Sequence, residues 1–280
     1  MNTKQILTLS ILWWGSVATA GHWAQQQKGP QTAGEWSIVG MALGEQNQWP
    51  AAVDAFKEAI RLKPNFVEAY NNLGFAFAVL GMNPEAIKAH QQAIKVKPDF
   101  VAAHFNLAFV YAAGGRLTDA ADEFKQATKI DPSWDVAQYH LGFVCTQLGR
   151  WSEAVEAFKQ AVRPPPPKQL GDGQTDSAEA LQQGFFVVSL TPERHVTYAN
   201  LAFAYSKTGQ YQEAVQAYRE SIKLKPDFAD VHYSLGETFV LSKQYEEAQK
   251  ECEVLQKLDK KMAEKLTDLI KRSTLKKRRS

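Results

Sequence analysis

The run NLAFVYAAGG, Asn106 to Gly115, reads as an amphipathic helix running into a tight turn. Leu107, Ala108 and Tyr111 share the face that a packed helix pair would bury, and Phe109 lies off that face. The same pattern returns as NLGFAF from Asn72, HLGFVC from His140 and NLAFAY from Asn200. Prolines at Pro64, Pro98, Pro132 and Pro166 are spaced by 34 residues, and so are Gly81, Gly115 and Gly149. The register resumes at Gly209 and Pro226, each 60 residues after its predecessor, so 26 residues are inserted there.

Each period reads as helix, turn, helix. In the second, Tyr70, Leu73, Gly74 and Phe77 form one helical face and Gly81 breaks the helix. Ala86, Ala93 and Val96 then mark a second helix before Pro98. Small residues at the Gly74 and Ala86 positions let two helix axes approach closely. The proline ends the second helix because it lacks an amide donor and its ring clashes with the preceding turn.

This pattern resembles the tetratricopeptide repeat, whose 34-residue period carries Trp, Leu-Gly, Tyr, Ala, Phe and Pro at set positions. The first unit matches through Trp36, Gly40, Ala52, Phe56, Ala59 and Pro64, with Leu43 in place of the Tyr. The third matches through Leu107, Ala108, Tyr111, Ala120, Phe124, Ala127 and Pro132. Leu141, Gly142, Ala154, Phe158, Ala161 and Pro166 mark the fourth, and Tyr198, Leu201, Ala202, Tyr205, Ala214, Tyr218 and Pro226 the fifth. The sixth keeps Leu235, Gly236, Phe239 and Ala248, but has Cys252 for the aromatic and Lys260 for the Pro.

The resemblance implies an all-α, right-handed superhelical solenoid of about six units. Units one to four span 33–168, an insertion 169–194, units five and six 195–260, and a capping helix 261–273. In this family the first helices line a concave surface, and their outward positions meet ligands. Transferred to this register, the outward positions are Phe75, Phe109, Phe143 and Phe203, with Asn71, Phe105, Tyr139, Ala199 and Tyr233 one turn earlier. Relatives that grip acidic chaperone tails use Lys, Asn and Arg there, so the aromatics here argue against that ligand.

Half-exposed, four to six such rings would form a patch on the order of 300–700 Å², larger than monomers usually leave bare. Three coverings fit. One is a partner segment, apolar or amphipathic, in an aromatic-lined groove. A second is the insertion itself, whose GFFVVSL run, Gly184 to Leu190, needs a dry place. The third is burial by neighbouring helices.

The composition excludes several classes. With 45% hydrophobic and 22% charged residues the chain can bury a core. Its net charge of +2 hides a basic tail, 274–280, at the end of the run KRSTLKKRRS from Lys271, which holds six basic residues. Without that run 26 basic residues face 30 acidic ones, which does not describe a nucleic-acid-binding domain. The tail itself reads as a solvated run or as an attachment to an anionic membrane surface. Residues 1–20, with Lys4, an apolar stretch from Ile6 to Val17 and Ala18-Thr19-Ala20, read as a cleaved secretory signal or an uncleaved membrane anchor. A polar linker, 21–32, follows. The expected setting is therefore exported, periplasmic or secreted.

Cys145 and Cys252 hold core positions two units apart, too far for a bridge, and read as buried free thiols. His104 and His232 take the position of Trp36 and Tyr70, a packing role. No HExxH, CxxC, GxSxG or phosphate-binding glycine loop is present, so no metal, cofactor or small-molecule substrate is expected. The sequence therefore points to a non-catalytic protein–protein interaction scaffold. A structural assembly factor, self-associating or held at a membrane, is the alternative.

Overall fold

A computed structural model describes residues 29–163 and 192–277, and among them every regular element is an α-helix. Residues 1–20, expected to be a signal or anchor, most of the insertion and the last three residues of the basic tail lie outside the described residues. The chain forms two compact units, whose described residues are 29–137 in the first and 138–163 with 192–277 in the second.

The first unit contains α1 (Ala33–Glu45), α2 (Trp49–Leu62), α3 (Val67–Val79), α4 (Asn83–Val96), α5 (Val101–Ala113) and α6 (Leu117–Ile130), and then the start of α7 (Asp135–Gln147). The second contains the rest of α7, α8 (Trp151–Ala161), α9 (Arg194–Lys207), α10 (Tyr211–Leu224), α11 (Ala229–Leu241), α12 (Tyr245–Leu258) and α13 (Lys260–Lys277). Within each unit consecutive helices pack on one another, as in an array where a repeat touches chiefly its neighbours.

One local device closes every repeat. Gly81, Gly115, Gly149 and Gly209 sit between their two helices at φ of 70–78°, in the left-handed region where glycine carries no Cβ penalty. The following amide returns to the helix just ended: Met82 N to Phe77 O at 2.9 Å, Arg116 N to Tyr111 O at 2.9 Å, Gln210 N to Tyr205 O at 3.0 Å. These six-to-one bonds satisfy carbonyls that the helix end would leave open. Asn47 (φ 59°) and Lys243 (φ 62°) make the same turn in the first and sixth repeats without glycine.

A second device fills the space between paired helices. A Cβ on Gly40 would run into Phe56, and one on Gly142 would stand 2.8 Å from Phe158. Phe56, Phe124, Phe158 and Tyr218 are all buried, each contributing roughly 1.5–3 kcal/mol by leaving water. In the second repeat His90 takes this slot, fully buried against Gly74 with no hydrogen-bond partner on either ring nitrogen. In the sixth, Cys252 is too short, and Leu266 from α13 fills the space against Gly236. The last helix is thus a working part of the final repeat's core. Cys145 and Cys252 are both buried and unbridged.

Candidate functional site

In the first unit the residues expected to face outward are largely covered. Phe75 is 2% exposed, with Trp49 of the preceding repeat 5.8 Å away between ring centroids. Phe105 is fully buried among Phe109, Phe124 and Trp134, at centroid distances of 5.0, 5.5 and 4.2 Å. Asn71 is buried too and accepts a hydrogen bond from Asn106 Nδ2 at 3.0 Å. Only Phe109 remains half-buried, edge-on to Phe124. Asn71, Phe75 and Phe105 therefore do not present a free surface as the register alone implied. Large aromatics on neighbouring turns reach over the two rings, Trp49 over Phe75 and Trp134 over Phe105.

The second unit differs. Phe143 is 44% exposed and Phe203 41% exposed. Phe143 stacks on the half-buried Tyr139 at 6.4 Å, and Tyr139 in turn leans on Phe158 at 5.7 Å. The Tyr139 hydroxyl accepts a hydrogen bond from Asn200 Nδ2 of α9 at 3.2 Å, tying the first helices of the fourth and fifth repeats together. Burial pushes the Tyr139 phenol up, with the Asn200 bond opposing it. Phe203 sits edge-on to Trp151 at 5.8 Å, and Lys207 Nζ lies 4.9 Å from its ring centroid. Tyr233 on α11 is half-buried, its phenol pushed up to about 12 by burial and then by the Glu237 carboxylate one turn on. Glu237 holds the register position that Phe75, Phe109, Phe143 and Phe203 hold before it, so the aromatic series ends in a carboxylate.

The structure therefore brings Tyr139 and Phe143 together on α7, joins Tyr139 to α9, and leaves the outer surface of Phe143 and Phe203 open. Trp151 and Lys207 belong to this surface and were not marked by the repeat pattern. Lys207 follows Phe203 by four residues, a spacing that the helix period could have flagged. Trp151 touches Phe203 across the inserted segment, and no local pattern foretells that contact. Arg194 Nη2 donates to the Val162 carbonyl at 2.9 Å, holding the two ends of the insertion's flanks together.

The histidines at the Trp and Tyr position do more than pack. His104 is bonded through Nδ1 to Glu123 at 2.7 Å and through Nε2 to the Pro98 carbonyl at 2.9 Å. His232 repeats the arrangement with Glu251 at 2.7 Å and Pro226 at 2.9 Å. Among the described residues no group of His, Cys, Asp or Glu is arranged to hold a metal ion, and no helix is long and apolar enough to cross a membrane.

Comparison with known proteins places this geometry. Models described as TPR repeat match residues 40–81 and 202–243, and a tetratricopeptide-repeat model matches 80–133. A model of anaphase-promoting complex subunit 5 matches 117–164. Among solved structures, YrrB, a TPR protein with an unusual peptide-binding site, is similar at 17% identity with a TM-score of 0.61, covering 77% of this chain and 99% of its own. MamA from Desulfovibrio magneticus RS-1 is 17% identical with a TM-score of 0.52, covering 70% and 96%. A chain of the APC/C hetero-tetramer Cut9-Hcn1 is 20% identical with a TM-score of 0.51, covering 92% of this chain but 45% of its own. At these identities the likeness to solved structures is one of fold.

Proposed function

The chain is a tetratricopeptide-repeat protein, and on that premise we propose that it is a non-catalytic scaffold that binds an apolar or amphipathic protein segment. The binding surface is the aromatic face of the second unit, built from Tyr139, Phe143, Phe203 and Tyr233 with Trp151 and Lys207 at its edge. One observation carries this reading: Phe143 and Phe203 are more than two-fifths exposed, in a register where the first unit's Phe75 is covered. An exposed aromatic contributes most of its burial energy only when something covers it.

The test compares the protein with a Phe143→Glu, Phe203→Glu double variant, both verified as folded by circular dichroism. Affinity capture from native extract should lose one partner, and a peptide from that partner should bind the unaltered protein and not the variant. Retention of every partner by the variant would move the binding surface elsewhere.

One observation also favours contact with an anionic membrane surface. Beyond its buried Ala263 and Leu266, α13 continues to Leu275, which is 57% exposed and follows Lys271 and Arg272. Basic residues near anionic headgroups contribute about 1 kcal/mol each. Vesicles containing phosphatidylserine should retain the full chain and release a variant with Lys271 and Arg272 changed to Glu. The export reading belongs to the same proposal, and intact mass of the protein from its native source tests whether residues 1–20 are removed.

A further inference from the structure

The imidazoles of His104 and His232 each face two hydrogen-bond acceptors. A backbone carbonyl oxygen can only accept, so each Nε2 must carry hydrogen toward Pro98 or Pro226. An ionised carboxylate can also only accept, so each Nδ1 must donate to Glu123 or Glu251. A neutral imidazole has one N–H and cannot satisfy both. Each site therefore holds one proton beyond those of a neutral histidine and a carboxylate.

The two sites are the same construction in two repeats, one in each unit. In each, a first-helix histidine (on α5 or α11) joins a second-helix glutamate (on α6 or α12) to the proline that ends the preceding repeat. Glu123 is the charged group that faces His104 from the elements packed around it, and Glu251 is the one that faces His232. Tyr70 and Tyr198 occupy the same register position in the second and fifth repeats.

We propose that His104–Glu123 and His232–Glu251 are proton-dependent joints. Each fastens its repeat to the turn before it while both ring nitrogens carry hydrogen, and loosens when one proton leaves. Because neighbouring-repeat contacts carry the stability of such arrays, losing a proton there weakens the coupling between adjacent repeats. The electrostatic balance agrees. At His104 burial acts downward, but the Glu123 bond, the Pro98 carbonyl and the Glu123 charge together hold the imidazole above 6.5. At His232 the Glu251 bond acts upward more strongly than burial acts downward. A group raised in the folded state contributes stability that is complete below pH 6.5 and is lost as pH rises through the folded value.

The test uses the full chain. Imidazole resonances should titrate with midpoints above 6.5, and Glu123→Gln and Glu251→Gln should each lower the midpoint of the partnered histidine. As pH rises above 6.5, where such a histidine gives up its second proton, amide exchange at Asp99–His104 and Asp227–His232 should lose protection. The turn leading to Tyr70 serves as the built-in control for the intrinsic base-catalysed rate. Midpoints at or below 6.5, or exchange at the histidine turns that merely tracks the Tyr70 turn, would overturn the proposal. If a Gln variant does not fold, the unaltered protein's midpoints and exchange still decide.

Discussion

Trp49 with Phe75 in the first unit and Trp151 with Phe203 in the second are the same pair in the repeat register. Both stand 5.8 Å apart between centroids. Yet Phe75 belongs to a buried cluster with Trp49, Leu73 and Ala76, against which Met41 and Leu43 pack, while Phe203 is 41% exposed. A register position thus assigns a side chain to a face of its helix. Whether that face is surface or core depends on the bulk that neighbouring turns bring to it. One ladder of aromatics serves two ends, as packing in the first unit and as an open surface in the second.

The sharpest way to break this comparison is truncation. Phe105→Ala, at a fully buried ring with three aromatic neighbours, should cost about 3–5 kcal/mol in urea unfolding. Phe143→Ala, at an exposed ring, should cost less than about 1 kcal/mol. Equal losses would mean that the second unit's ring is as well covered as the first's.

Acid probes the first unit's core next. Burial holds the His90 imidazole down at about 3, against an ordinary value of 6.5. Above pH 6.5 the ring is neutral whether folded or unfolded, and it adds no pH dependence. As pH falls below 6.5 the unfolded chain takes up a proton that the folded ring refuses, and stability declines by up to about 1.4 kcal/mol per pH unit. His90→Phe restores the aromatic of Phe56 and Phe124, removes two unpaired nitrogens, and should abolish this part of the acid sensitivity. Denaturation of both proteins from neutral pH to about pH 4 checks it. This slope is opposite in sign to that of the His104 and His232 joints, which are strongest in acid.

A smaller effect tests the second unit's close approach. Gly142→Ala would place a Cβ 2.8 Å from the Phe158 ring and should cost about 1–3 kcal/mol. The added methyl points at the buried Phe158 ring and not at the open face of Phe143, so partner binding should survive where the protein stays folded. The smallest effect is a gain. Lys243 holds a left-handed turn that glycine makes in four other repeats, and Lys243→Gly should stabilise by about 0.5–1 kcal/mol. Thermal unfolding resolves it, and a loss would show that the lysine side chain supports the turn.

Much of the fold was legible because each repeat obeys local rules. Pro64, Pro98, Pro132 and Pro226 follow helix ends, the glycines mark the left-handed turns, and small residues face aromatics at a constant offset. The surface was legible only in part. Helical spacing grouped Phe75, Phe109, Phe143 and Phe203 together, but it carried no information on Trp49, Trp134 or Trp151, which approach from other helices. Nor did the pattern separate His90, with no partner for either nitrogen, from His104 and His232, which have two each. The glutamates that distinguish them lie 19 residues away on the paired helix.

By itself the sequence determined the helix pairs, their turns, the repeat family and the candidate face, because these rest on contacts within one period and on backbone rules that act locally. Tertiary structure alone decided which aromatics are core and which are surface, which histidines face a partner on each ring nitrogen, and that Leu266 completes the last repeat. Those outcomes depend on side chains brought together from separate helices, where distance along the chain says little about distance in space.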